Sequence, residues 1–158
     1  MDPWAWGWEA VGALGTTIAV LVATLAIGIQ TRWVRRTLGS QTYQLLLAQF
    51  DGILDWMRST PGLYHAVFID EATDLTRTGP DRELVNLAMA RLFDWYESVA
   101  VQHQHYKVLP DAIASHWGQL LSQDLQRKPI RHYWIMNRQY YQPILQRWVD
   151  DLRQQSGP

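Results

Sequence analysis

The stretch from Ala10 to Ile29, AVGALGTTIAVLVATLAIGI, contains twenty residues and no charged side chain. The uncharged run continues for two more residues and ends at Arg32. A helix of about 20 apolar residues is long enough to cross the hydrocarbon core of a bilayer, which is roughly 30 Å thick. The sequence therefore predicts a transmembrane helix over 10–31, preceded by a short external N-terminus over 1–9.

Both flanks of this run are typical of a membrane interface. Tryptophans precede and follow it, and the indole ring favours the boundary between lipid and water. The charges before the run are Asp2 and Glu9, whereas three arginines follow it, and basic residues stay on the cytoplasmic side. We therefore predict an inner, cytoplasmic-type membrane location with the N-terminus outside and the C-terminal domain in the cytoplasm. The predicted interface residues are Trp4, Trp6, Trp8, Arg32, Trp33, Arg35 and Arg36.

Two other interpretations of the run are a cleaved signal peptide and a buried helix of a soluble protein. A signal peptide carries its basic residues before the apolar segment, and its apolar segment is shorter. The length and flanks of the run also favour a span over a buried helix.

Small residues recur every four positions in the span, at Gly15, Ala19 and Ala23. Small residues at this spacing let a second helix approach closely, so they predict a contact with another copy or with a partner helix. The alternative is that Gly and Ala are simply frequent in membrane helices.

Composition limits what the remaining part of the chain can do. The chain has 158 residues, so the part after the span is the size of one small domain. A net charge of −1 provides no field to attract nucleic acid, which we do not expect as a partner. Cysteine is absent from the sequence, which excludes disulfides and thiolate chemistry.

After the span, apolar residues recur at three- and four-residue spacings, so we predict an all-α fold. This fold consists of one N-terminal transmembrane helix followed by a cytoplasmic bundle of four to six helices. A basic exit and amphipathic helical extension cover 32–58, the bundle covers 59–154, and the tail over 155–158 frays. Gly39 weakens the helix interior and is predicted to mark a joint between the membrane and soluble parts.

Prolines and one polar segment divide the bundle into helices. Proline suits the first turn of a helix, because its missing N–H has no partner to bond there. The predicted elements are a short helix over 62–69, a loop over 70–79, a long helix from Pro80 to about Tyr106, a helix from Pro110, a helix over 130–141 and a last helix from Pro143.

Charge is distributed unevenly over the bundle. Nine acids stand against four arginines over 51–97, whereas six basic residues stand against two aspartates over 127–153. Within the second segment basic and aromatic residues interleave. The interpretation that we favour is a half-buried bundle helix whose arginine stems cover apolar surface. The alternatives are a surface for anionic lipid or for an acidic partner, and nucleic-acid binding, for which the domain lacks the expected basic excess. The candidate residues are Arg127, Lys128, Arg131, Trp134, Arg138 and Tyr141.

Motifs for catalysis and metal binding are missing from the sequence. His-Glu-x-x-His, Glu-x-x-His, Gly-x-Ser-x-Gly and a glycine-rich phosphate loop do not occur. His103 and His105 can approach His116 across a short turn, but exposed histidines at helix ends are the better interpretation. We therefore predict no catalytic residue, no metal site and no cofactor.

Arg91, Asp94 and Glu97 share one face of the predicted long helix. Two carboxylates at this spacing form either a paired-carboxylate site or, together with the arginine, an ordinary set of helix salt bridges. We favour the salt bridges.

The opening WEAVGALG, with Thr24-Leu25, Ile29-Gln30 and Arg32, resembles the start of a widespread set of small bacterial membrane proteins. These are mostly described as proteins of unknown function, with one N-terminal span, a basic exit and a cytoplasmic helical domain. The resemblance covers nearly the whole chain and implies this topology, but it implies no catalytic residue. Pro143 and the aromatic density depart from the pattern. Further similar positions are Phe93, Glu97, Trp117, Trp134, Arg138, Tyr141 and Val149.

Three functions are compatible with these patterns. The leading hypothesis is a non-catalytic, membrane-anchored interaction module, an accessory subunit of a larger membrane complex. Its partners would be the lipid bilayer and a protein, or a second copy that associates through the membrane helix. The second hypothesis is a membrane-bound signalling or defence effector that binds a small ligand and oligomerises. The third is an enzyme whose site is assembled from scattered residues.

Overall fold

The structure is a computed structural model that describes residues 5–69 and 80–155. Within these ranges, the side chains of residues 5–18, 35, 80, 81 and 155 are not part of the description. Several predictions therefore lie outside the described residues. They concern Trp4, Trp6, Trp8, Gly15, Arg35, the first part of the span over 10–18, the loop over 70–79 and the end of the tail.

The described residues form helices and turns and contain no strand, which confirms the all-α fold and the helical bundle. The apolar spacing of three and four residues explains this, because it places one face of each helix against its neighbours. The α-helices are α1 (Ala5–Ser59), α2 (Leu63–Phe68), α3 (Pro80–Ala100), α4 (Asp111–Gln126), α5 (Lys128–Asn137) and α6 (Pro143–Gln155).

Two compact units divide the chain, Met1–Leu38 and Gly39–Pro158, and α1 contributes residues to both. In the first unit, the apolar side chains of α1 from Val20 to Val34 are exposed. No helix in the part of the chain that the structure describes has a stretch long and apolar enough to cross a membrane.

The second unit is built around α3, whose inward face is fully buried. Phe93 lies at the centre of this face, and its ring stacks on Tyr133 and Trp134 of α5, with centroids 5.7 and 5.1 Å away. Aromatic pairs at these distances add to the stability that burial alone provides. The completely buried residues of α3 are Ala88, Met89, Leu92, Phe93, Tyr96 and Val99.

The final part of α1 packs on the same core through a second aromatic group. Phe50 contacts Trp95 of α3 and Trp117 of α4, with ring centroids 4.6 and 5.4 Å away. The indole nitrogen of Trp95 donates a buried hydrogen bond of 2.7 Å to the carbonyl of Leu46. The amphipathic stripe of α1 therefore joins the bundle.

Helix ends differ from the predicted ones by a few residues, for local reasons. The long helix ends at Ala100 and continues as a π-helical turn over Val101–His105. This wider turn leads into a tight connection, where the amide of Val108 donates to the carbonyl of Gln102. The predicted helix over 130–141 is interrupted as well, because α5 ends at Asn137 and one 3₁₀ turn follows.

Gly39 has a packing role that the sequence did not indicate. A Cβ atom at this position would lie 2.6 Å from the carbonyl oxygen of Val108, which is too close for any other residue. The absence of a side chain therefore lets α1 approach the turn before α4. The boundary between the two compact units falls between Leu38 and Gly39.

Candidate functional site

Helix α5 separates its residues into a core face and an outward face. Residues at three- and four-residue spacing point inward, and Trp134 is completely buried, with 0% of its surface exposed. The next two residues point outward, with Ile135 59% and Met136 61% exposed. Tyr140, in the 3₁₀ turn, is 78% exposed. We call the exposed residues Lys128, Arg131, His132, Ile135, Met136 and Tyr140 the α5 face.

Two residues of the candidate lipid or partner surface, Trp134 and Tyr141, are core residues, so the surface interpretation is wrong for these two and their burial agrees with the half-buried helix. Trp134 is buried because the helical period puts it on the same side as Ile130 and Tyr133. Tyr141 is buried because the chain turns inward after the 3₁₀ turn, which brings its hydroxyl within 3.3 Å of that of Tyr133.

The four basic residues of that surface divide into two pairs. Lys128 and Arg131 are exposed on α5. Arg127 lies over the ring of Phe68 and donates a hydrogen bond to its carbonyl oxygen, so it joins α2 to the start of α5. Arg138 pairs with Asp150 of α6 at 3.0 Å. Arg127 and Arg138 therefore make contacts within the bundle, whereas Lys128 and Arg131 are exposed on α5.

A cleft of about 490 Å³ lies between α3 and α5. Arg82 lines this cleft, and its Nε atom is buried without a hydrogen-bond partner. Among the described residues, Arg82 is the one charged residue with such an atom. Sequence reasoning missed this site, because its two walls are about fifty residues apart in the chain. The lining residues are Arg82, Asn86, Leu87, Ala90, His132, Tyr133, Met136, Asn137 and Tyr140.

The predicted salt-bridge set on α3 has a different arrangement. The guanidinium of Arg91 lies 4.5 Å from the ring centre of Trp56, and Glu97 accepts a hydrogen bond from the amide of Gln142. Glu97 therefore caps the start of α6 from a neighbouring helix. Partial burial, and then the charge of Glu97, raise the pKa of Asp94. Within the described structure, no ion pair joins the three charged residues of this face.

Histidines do not converge on a shared position. His103 lies 3.3 Å from the carbonyl of Leu109 and 3.9 Å from a carboxylate oxygen of Asp111, both at the start of α4. His116 packs edge-on against Trp117. No group of three metal-ligating side chains occurs among the described residues.

Asp124 of α4 is the buried carboxylate of the bundle, with 3% of its surface exposed. The hydroxyl of Tyr96 donates a hydrogen bond of 2.8 Å to one carboxylate oxygen, and Arg127 lies 3.5 Å from the other. Burial raises the pKa of Asp124 to about 6, against the lowering effect of both neighbours. The contacts of this carboxylate join α4 to α3 and to the start of α5.

Comparison of the chain with protein-family models, with curated proteins and with solved structures finds no match. What the chain does is therefore inferred from the placement of its own side chains. The α5 face and the cleft between α3 and α5 are two surfaces of the bundle that internal packing leaves open.

Proposed function

We propose that this protein is a single-pass, membrane-anchored interaction module without catalytic activity, and an accessory subunit of a larger membrane complex. The bundle meets an acidic surface of a partner protein through the α5 face, and α1 holds the module in the bilayer. The exposed apolar and basic residues of α5 are the single observation that carries this proposal.

The α5 face combines the two properties of a protein-binding surface. Ile135, Met136 and Tyr140 expose apolar area that a partner would cover, and such patches mark interaction sites. Lys128 and Arg131 add positive charge, and α5 contains no carboxylate to neutralise it. Charge complementarity therefore selects a partner with an acidic surface.

The anchor is argued from the sequence of α1, since no described helix is long and apolar enough to cross a membrane and the proposed span over 10–31 includes residues 10–18, whose side chains lie outside the description. Successive residues of an α-helix are about 100° apart, so Val20, Leu21 and Val22 alone cover about 200° of its circumference. All three are 59–60% exposed, and the apolar pattern continues through Leu25 and Ile29. A helix that is apolar on every side belongs inside protein or inside a bilayer. The arginines that follow the apolar run favour a cytoplasmic position for the bundle.

The test is co-purification of the full chain from membranes in a mild detergent. The double variant Arg131→Glu with Ile135→Ser reverses one charge and removes one apolar contact of the α5 face. The matched control is Leu45→Ser, because Leu45 is an equally exposed apolar residue, at 60%, on a different helix. We expect the double variant to lose a protein that the wild type and the control both retain.

Two results would contradict the proposal. The first is equal recovery of every associated protein by the double variant and the wild type. The second is binding of the α5 face to vesicles of anionic lipid in the absence of any partner, with loss of binding in the double variant. That result would replace the partner protein with the lipid surface.

The cleft between α3 and α5 favours a second candidate, a membrane-bound effector that binds a small ligand and oligomerises. Its volume is that of a small-molecule site. Analytical ultracentrifugation in detergent separates the candidates, because an effector would form a discrete oligomer on addition of ligand. An accessory subunit would remain in one assembly state.

A further inference from the structure

We propose that the cleft between α3 and α5 binds a phosphate group that is carried on a small molecule with an apolar or aromatic part. The cleft measures about 490 Å³, within the range of roughly 300–1,000 Å³ that is typical of small-molecule sites. Three residues of the α5 face, His132, Met136 and Tyr140, also line the cleft, whereas Arg131 and Ile135 do not, so the substitutions that test the partner surface leave the lining of the cleft intact.

The polar lining of the cleft selects an anion. A guanidinium (Arg82), an imidazole (His132) and two side-chain amides (Asn86 and Asn137) supply N–H donors. Asn137 uses one of its donors on the carbonyl of Tyr133, at 2.9 Å, which holds the amide in place. No carboxylate is among the described residues that line the cleft. A cation would therefore find few acceptors there, whereas a phosphate would find donors from both helices.

Arg82 is the centre of the site. Its Nε atom is buried without a hydrogen-bond partner. No other charged side chain among the described residues has a buried nitrogen or oxygen atom without a partner. An unpaired buried donor destabilises the protein until an acceptor reaches it. A phosphate in the cleft would bind the guanidinium of Arg82, since guanidinium groups bind phosphate in a bidentate way.

The apolar lining of the cleft would contact the part of the ligand that is attached to the phosphate. Leu87 of α3 and Met136 of α5 line the cleft and are exposed, as is the ring of Tyr140 beside them. Apolar walls around a few polar groups are usual in small-molecule sites. An aromatic ring or an acyl chain attached to the phosphate would cover these three side chains.

Phenyl phosphate is the probe, since it contains one phosphate and one aromatic ring. The full chain is studied in a maltoside detergent, which carries no phosphate, with calorimetry for affinity and NMR of the arginine Nε–H groups for location. We expect saturable binding that is tighter than that of inorganic phosphate, and a shift of the Arg82 Nε–H signal.

Three substitutions assign the binding to the cleft. Arg82→Gln removes the charge and should weaken phenyl phosphate binding at least about tenfold, as expected for a charge-assisted hydrogen bond. Arg82→Lys keeps the charge without the bidentate fork and should weaken binding less. Arg131→Gln is the control, because it removes one arginine from the exposed part of α5 and should leave the affinity unchanged.

The proposal is overturned if phenyl phosphate does not bind the folded wild type, or if Arg82→Gln binds as tightly as the wild type. Equal weakening by Arg131→Gln would also overturn it, since the attraction would then be diffuse. The ligand source is decided by nanodiscs with and without phosphatidic acid. Displacement of phenyl phosphate by phosphatidic acid identifies a lipid headgroup, and undiminished binding identifies a soluble phosphate ester.

Discussion

The hydroxyl of Tyr96 on α3 donates a hydrogen bond of 2.8 Å to the carboxylate of Asp124 on α4, and both side chains are buried. The guanidinium of Arg127 approaches the same carboxylate and also bonds to the carbonyl of Phe68 on α2. One buried charge therefore connects three helices and the start of a fourth. Its burial is unfavourable in itself, and the two partners reduce that cost.

The first prediction concerns the dependence of stability on pH. Burial raises the pKa of Asp124 from an ordinary value of 3.8 to about 6, so the folded protein holds this proton more tightly than the unfolded chain does. The resulting stabilisation is complete below about pH 4 and is lost as the pH rises through about 6. Its size is on the order of 3 kcal/mol, because each tenfold change in proton affinity corresponds to about 1.4 kcal/mol.

Denaturant unfolding at several pH values from 4 to 7 measures this effect. Asp124→Asn removes the titrating group, so its stability should fall less between pH 4 and 7 than that of the wild type. The exposed Asp51 provides the control, and Asp51→Asn should follow the wild-type profile. Other carboxylates, including Asp94, cancel in the difference between wild type and variant. Parallel profiles for wild type and Asp124→Asn would contradict the assignment.

A second prediction compares two glycines in α1. Gly39→Ala should destabilise the bundle by about 1–3 kcal/mol, because the new methyl group would collide with the backbone carbonyl of Val108. Gly52→Ala should instead stabilise it by up to about 1 kcal/mol, since nothing lies within 4 Å of that position and alanine favours a helix. Thermal unfolding of both variants checks the signs. A stabilising Gly39→Ala would show that the contact with Val108 is not restrictive.

Most of the fold could be predicted from the sequence, because helical periodicity and helix starts are local properties. The apolar spacing in α3 and α4 and the prolines at 110, 129 and 143 placed the helices close to their observed bounds. The end of α5 could not be placed this way. Residues 138–141 have a composition compatible with a helix, yet residues 138–140 form a 3₁₀ turn that brings the hydroxyl of Tyr141 within 3.3 Å of that of Tyr133.

The candidate sites could be predicted only in part. Lys128 and Arg131 are exposed, as charged side chains usually are, and what they bind stays a prediction. The position of Trp134 could not be decided from the sequence, because an aromatic residue between arginines suits either a core or an interface. The cleft depends on two helices that meet only in the folded chain. Nothing in its immediate sequence marks Asp124 as buried, because its environment comes from α3 and α4 together.

The third prediction uses the neighbouring residues Trp134 and Ile135, which face in opposite directions. Trp134→Ala empties a fully buried site and should cost about 3–5 kcal/mol. Ile135→Ala changes an exposed residue and should alter stability by less than about 0.5 kcal/mol. Urea unfolding of the two variants measures this difference. Similar losses of stability in both would contradict the assigned faces of α5.

The fourth prediction tests the membrane anchor through Val22, which lies near the middle of the proposed span over 10–31. An arginine in the centre of a transmembrane helix costs about 2.5–3.5 kcal/mol on insertion scales, so Val22→Arg should reduce the fraction of protein inserted in the membrane. Val34→Arg is the matched control, because Val34 is also an exposed valine of α1 but stands beside the arginines that end the span.

Extraction of membranes with alkaline carbonate measures the inserted fraction, since it releases peripheral proteins and retains spanning ones. The wild type and Val34→Arg should stay in the pellet, and Val22→Arg should shift toward the supernatant. The central arginine acts through its desolvation in hydrocarbon, whereas the arginine at position 34 can reach the headgroups with its long side chain. Release of the wild type by carbonate would show that α1 does not span the bilayer. Equal retention of Val22→Arg and Val34→Arg would show that residue 22 does not lie in the hydrocarbon core.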